Sequence, residues 1–138
     1  MLKIVLVSCV KKKLPYRAKA RDMYISPLFN SHLNYALSLK PDAIFILSAK
    51  YGLVSLDQEI EPYDLTLNNK GVSQRKEWAQ KVLADLRMKA DLLHDHFIFL
   101  AGMKYREFLL PSIHSYEIPL EGYPIGKLLQ ELKRRTSE

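Results

Sequence analysis

The residues best suited to chemistry fall in one stretch, Ile44 to Leu67, which reads IFILSAKYGLVSLDQEIEPYDLTL. Asp57, Glu59, Glu61 and Asp64 follow one another there, in a chain that is otherwise basic. A carboxylate beside a phosphate-binding surface repels its ligand unless it has another task. It can hold a metal, activate water, or stabilise positive charge developing on a sugar. Most loop acids are simply solvated. Asp57 and Asp64 flank Pro62-Tyr63, which stiffens the loop, and these two are the candidate catalytic groups. Just upstream, Ser48-Ala49-Lys50-Tyr51-Gly52 offers a point charge for phosphate in Lys50 and a ring for stacking on a base in Tyr51. Tyr63 is a second such ring. Gly52 permits a sharp turn or a close backbone approach to a ligand. The plainer alternative is that Gly52 only turns the chain and Tyr51 packs inward.

Further anion-binding candidates stand elsewhere in the chain. Ser8 is followed by the basic run Lys11-Lys12-Lys13, and Ser8, Lys11 and Lys12 are taken as phosphate ligands. The segment Glu121-Gly122-Tyr123-Pro124-Ile125-Gly126-Lys127 opens a helix with glycines and a lysine, and exposed amides at a helix start suit an anion. Gly122, Gly126 and Lys127 therefore join the set. This is no P-loop, because Gly122 and Gly126 are too close and Leu128 follows Lys127. Cys9 has lysines nearby, a setting for a reactive thiol, although a buried and inert cysteine is the commoner case. His94-x-His96 lacks further ligands at zinc spacing, so no metal site is expected. Neither a G-x-S-x-G elbow nor a G-x-G-x-x-G fingerprint is present. The residues assign no cofactor and no oligomeric state.

These groups must be held by regular elements. Leu2 to Val7 is an apolar, β-branched run that reads as a first strand, leading into a basic loop. Ser26-Pro27 starts a helix, with serine as N-cap and proline in the first turn. Leu28, Phe29, Leu33, Ala36 and Leu37 keep helical spacing until Lys40-Pro41. Ala43 to Leu47 is a second strand, followed by about twenty residues without periodicity, long enough to imply a function. A helix from about Ser73 to Ala90 presents Trp78, Val82, Leu83 and Leu86 on one face. Phe97 to Leu100 is a third strand, Lys104 to Leu110 a short helix, and Ser115 to Ile118 a fourth strand. A last helix starts at Pro124 and turns Ile125, Leu128, Leu129 and Leu132 inward.

That alternation predicts an α/β fold, a single domain over residues 1–138 with a mostly parallel four-stranded sheet and helices on both faces. In such sheets ligands bind outside the carboxyl ends of the strands. The segments Ser8–Lys13, Ser48–Gly52, Gly102–Tyr105 and Leu120–Lys127 all follow strand ends, which predicts one shared site. The single cysteine excludes an internal disulfide framework and suits a reducing cytoplasm. No apolar run reaches the roughly 18 residues of a membrane span. The formal net charge of +6 makes nucleic acid or another polyanion a reasonable partner.

The combination LSAKYGLVSLDQEIEPYDL resembles the YaaA family of peroxide-stress proteins, at Leu47, Ser48, Tyr51, Gly52, Asp57, Pro62 and Tyr63. The Ser8-Cys9-Val10-Lys11 start is similar to that family's Ser-Pro-Ala-Lys. A set of short bacterial and phage domains looks similar over nearly the whole chain, from Ser-Cys-x-x-Lys through Ser-Ala-Lys-Tyr-Gly-Leu to Pro-Leu-x-Gly-x-x-Ile-Gly. The resemblance implies nucleic-acid binding and protection of DNA under oxidative stress. Relatives of the motif in modified-base metabolism suggest a base or nucleoside as ligand.

Three readings stand at this level. The first is a nucleic-acid or nucleotide-binding domain that acts on a nucleobase or its N-glycosidic bond. In it the lysines hold phosphate, Tyr51 or Tyr63 stacks on the base, and Asp57 or Asp64 moves the proton. The second is a non-catalytic DNA-binding module. The third is an enzyme acting on a small free metabolite, with the basic surface incidental.

Overall fold

The computed structural model describes residues 1–137, the side chains of Ile125 and Ser137 excepted. Its centre is β1 (Lys3–Ser8), whose Ile4, Val5, Leu6 and Val7 are all buried. A continuous apolar run suits a strand covered on both faces, where alternation would leave one face wet. β3 (Ala43–Ser48) and β6 (His96–Leu100) pair with β1 on either side, both parallel, with Val7 opposite Ile46 and Leu100. β7 (Ser115–Glu117) continues the sheet beyond β6, also parallel.

The sheet has five strands, not four. The fifth is β4 (Gly52–Ser55), which turns back from β3 as an antiparallel edge with Ser48 opposite Gly52 and Phe45 opposite Ser55. The sheet order is thus β4-β3-β1-β6-β7. Gly52 takes φ of 75°, a left-handed conformation that only glycine adopts at low cost, and so closes the hairpin. The long connection after β3 is therefore partly regular. In it β5 (Glu59–Ile60) also forms an antiparallel ribbon with β2 (Ala18–Lys19). Four- and two-residue strands are too short to show a period in sequence.

The helices follow the crossovers. α1 (Ala20–Met23) is a single turn after β2. α2 (Pro27–Ser38) joins β1 to β3, and its N-cap Ser26 accepts a hydrogen bond from the Phe29 amide at 3.1 Å. α3 (Val72–Arg87) precedes β6, α4 (Met103–Arg106) follows it, and α5 (Ile125–Ser137) ends the described chain. Right-handed crossovers from β1 to β3 and from β3 to β6 run in opposite directions along the sheet, which assigns α2 and α3 to opposite faces. α5 packs on α2, and α3 packs on β4 and α4. The inner face of α3 is Ala79, Val82, Leu83 and Leu86, with Trp78 half-buried beside it. On α2 the buried face is Phe29, His32, Tyr35 and Ala36, whereas Leu37 is 51% exposed. Leu132 of α5 is buried and Leu128 and Leu129 are half-buried; the side chain of Ile125, expected to face inward, lies outside the described residues. No helix among the described residues is long and apolar enough to cross a membrane.

Candidate functional site

β1 and β6 are neighbours whose following connections leave for opposite faces of the sheet. Such a reversal opens a crevice at the carboxyl ends of the two strands. A cavity of about 730 Å³ occupies that place. The exit from β1 contributes Ser8, Cys9, Lys11 and Lys13, and the exit from β6 contributes Gly102, Tyr105 and Arg106. Asp64, Thr66 and Asn68 close it from the loop before α3, and Leu120 to Tyr123 from the turn before α5. Leu28 and His32 of α2 and Leu128 of α5 complete the wall.

Lys13 is half-buried, its Nζ 2.9 Å from the Lys11 carbonyl and 4.4 Å from the centre of the Tyr63 ring. Loss of water lowers the pKa of its ammonium, and the nearby Cys9 and Asp64 partly oppose that shift. Arg106 is buried. Its guanidinium donates to the Ala101 carbonyl at 2.6 Å and to the exposed Glu121 carboxylate at 3.3 Å. The Tyr105 hydroxyl accepts from the Leu67 amide at 3.2 Å and from the Cys9 thiol at 3.5 Å. Burial first, and then Cys9, push that phenol up to about 12. Asp64 is exposed and has no ion pair within 4.0 Å among the described residues. His32 is buried, and desolvation lowers its imidazole to about 4. The cavity thus holds two lysines, an arginine, one unpaired acid and a neutral imidazole. Such a set can grip an anion and offer a proton-transfer group beside it.

The expected single wall is met in part. Ser8, Lys11, Asp64 and Gly122 line the cavity, while Ser48 to Gly52 does not. Ser48 is fully buried. Its hydroxyl donates to the Tyr63 oxygen at 2.8 Å and accepts from the Tyr51 amide at 3.0 Å, and Tyr63 lies 2.7 Å from the Tyr24 hydroxyl. Tyr51 accepts from the Glu61 amide at 3.2 Å, with its ring edge-on to Tyr63 at 5.8 Å. Lys50 is exposed, its Nζ 5.3 Å from the Tyr51 ring centre. Gly52 serves the hairpin. Lys12 is exposed, and its carbonyl accepts from the Ile25 amide. Gly126 and Lys127 are exposed in the first turn of α5 and are not among the cavity-lining residues. Asp57 pairs with Arg21 at 3.1 Å and Lys19 at 4.0 Å, while Arg17 pairs with Glu61 at 3.3 Å and Glu59 at 3.8 Å. Three of the four loop acids therefore fasten the β2–β5 ribbon, and only Asp64 faces the cavity.

His32 and Arg106 escape the sequence reading, whereas Lys13 and Tyr105 fall within its strand-end segments Ser8–Lys13 and Gly102–Tyr105 without a role of their own. His32 sits one turn after Leu28 and Phe29, inside the apolar stripe of α2, and that placement was its signal. Lys13 was visible only as part of a lysine run. Tyr105 and Arg106 share one helical turn after β6, which marks them as strand-end residues and nothing more. His94 and His96 are engaged elsewhere, with Asp91 at 2.7 Å, and with Ser115 at 2.7 Å and Glu117 at 2.8 Å.

A doubly wound α/β domain with a ligand-sized cavity at its strand reversal is the class that the fold and site define. The chain belongs to a family described as a family of unknown function, DUF6884, whose model matches residues 4–134. No curated protein and no solved structure matches it.

Proposed function

We propose that the protein binds a nucleotide, free or extruded from a strand, in the cavity beyond β1 and β6. Asp64 then acts on the nucleobase or its N-glycosidic bond. The observation that carries this reading is the cavity itself. Its volume of about 730 Å³ is of the size that small-ligand sites have, and Lys11, Lys13 and Arg106 supply cations against a partly apolar wall. Among the described residues Asp64 has no ion-pair partner within 4.0 Å, although it stands beside those cations, as a proton-transfer group or a counter-charge to a developing sugar cation would. The resemblance to the YaaA family and the excess of positive charge point the same way.

Titration calorimetry with nucleoside monophosphates against the matched nucleosides tests the reading. The phosphorylated ligands should bind more tightly, and should slow alkylation of Cys9, the single cysteine, which lines the same cavity. Asp64→Asn should keep the binding and lose turnover of any nucleotide substrate. The net charge of +6 favours a second reading, a DNA-binding surface without catalysis. In that case oligonucleotide affinity falls steeply with salt, and mononucleotides do not compete.

A further inference from the structure

His32 is a buried polar side chain of this cavity whose ring meets no hydrogen-bonding partner among the described residues. The residue is 8% exposed. Its ring nitrogens are not fully enclosed and keep access to the cavity, so a ligand that fills this space must offer them hydrogen bonds in exchange for water. The imidazole is neutral at pH 7 because burial disfavours its charged form. A neutral imidazole presents one donor and one acceptor.

Its surroundings differ from the rest of the cavity. Leu28 lies one turn earlier on α2, and Leu128 comes from α5, which packs on α2. Ile118 and Leu120, before α5, line the cavity as well. The charged groups, Lys11, Lys13, Asp64, Arg106 and Glu121, come from the strand-end loops, α4 and the turn before α5. An anion held by the α2–α5 wall would lose water and meet leucines. An uncharged ring would bury its faces there and satisfy the imidazole with its polar edge.

We propose that His32 and the apolar α2–α5 wall form the subsite for an uncharged nitrogen heterocycle, with the imidazole hydrogen-bonded to the edge of the ring. The assignment rests on the nucleotide reading and divides the ligand between two walls: base on α2 and α5, phosphate at the lysines and Arg106.

The test is calorimetry on the whole chain and on His32→Phe, which keeps the ring volume and removes both hydrogen-bonding atoms. Nucleoside monophosphates and ribose 5-phosphate are the two probes. Loss of one buried hydrogen bond should weaken the nucleotides about tenfold, or roughly 1.4 kcal/mol, and leave ribose 5-phosphate within about twofold. His32→Gln, which restores a donor and an acceptor, should recover part of the loss, and it serves if the phenylalanine variant does not fold. Equal weakening of both probes, or of neither, overturns the subsite while the nucleotide reading stands. Binding of ribose 5-phosphate as tight as that of the nucleotides by the unmodified chain overturns the base subsite alone. Should the unmodified chain bind neither probe, the nucleotide reading fails and the subsite with it.

Discussion

After β3, Ser48, Tyr51, Asp57 and Tyr63 find their partners inside the chain; in the cavity beyond β1 and β6 several polar groups meet none among the described residues. Ser48 uses its hydroxyl as donor to Tyr63 and as acceptor for the Tyr51 amide, and its carbonyl receives the Trp78 indole at 2.8 Å. Tyr63 reaches Tyr24, and Tyr51 takes the Glu61 amide. In the cavity, among the described residues, His32 has no hydrogen-bond partner, Asp64 has no ion pair, and Arg106 leans on a carboxylate that is itself exposed. Both regions are equally rich in residues that look chemical. What separates them is satisfaction. A group already bonded on every side must break structure to meet a ligand, whereas an unpaired one gains a bond by meeting it.

The largest expected effect comes from the unpaired side. The imidazole of His32 has a folded value of about 4 against an unfolded value near 6.5. Between those values the unfolded chain takes up a proton that the folded chain refuses, so stability is full above pH 6.5 and falls as the pH drops toward 4. The loss should approach about 3 kcal/mol, and His32→Phe should not show it. Hydrogen bonds and charges hold Asp91, Asp95 and Glu131 below their ordinary values, so their contributions begin to be lost only at the acid end of this window and are shared by both proteins. Urea denaturation at steps from pH 7 to pH 4.5 measures the difference. Parallel curves for the two proteins would place His32 in contact with water and erase its contrast with Ser48.

Next in size is the satisfied side. Ser48→Ala strips Tyr63 of a donor and leaves the Tyr51 amide without its acceptor, both at the edge of the core. The cost should be about 1–3 kcal/mol, read as a lower urea midpoint at unchanged slope. Affinity for nucleotides should not change. A variant of normal stability that no longer binds would put the ligand beyond β3 after all.

Lys13→Met should act the other way round. The ammonium is partly desolvated, so its removal should leave stability level or higher, while nucleotide affinity drops about tenfold. Loss of stability with intact binding would make Lys13 a structural group resting on Tyr63.

The contrast explains what could be read in the sequence. The buried strands were legible because continuous apolar runs such as Ile4–Val7 and Phe97–Leu100 have few other uses, and α2 announced itself through Ser26-Pro27. β4 was not legible, because four residues opened by a glycine carry no period. The site was legible as a place, the strand ends, but not in its membership. Whether a tyrosine or an aspartate is satisfied depends on partners far along the chain, as Tyr63 depends on Tyr24 and Asp57 on Arg21. His32 was hidden for the opposite reason, since it occupies a position in a helical stripe where an apolar residue is expected.

The smallest effect belongs to Asp57, and it bears most directly on how the acids divide. Its side chain is 68% exposed and bridges Arg21 and Lys19 at the foot of the β2–β5 ribbon. Exposed pairs contribute about 0–1 kcal/mol, because water screens them and two long side chains must be held still. Asp57→Asn should therefore shift the urea midpoint slightly, in a manner that vanishes at high salt, and leave nucleotide binding and turnover unchanged. Asp64→Asn should do the reverse, with no loss of stability and a loss of turnover. If Asp57→Asn abolishes turnover and Asp64→Asn does not, the reacting group sits on the ribbon, outside the cavity, and the rule that unpaired groups mark the site fails for this fold.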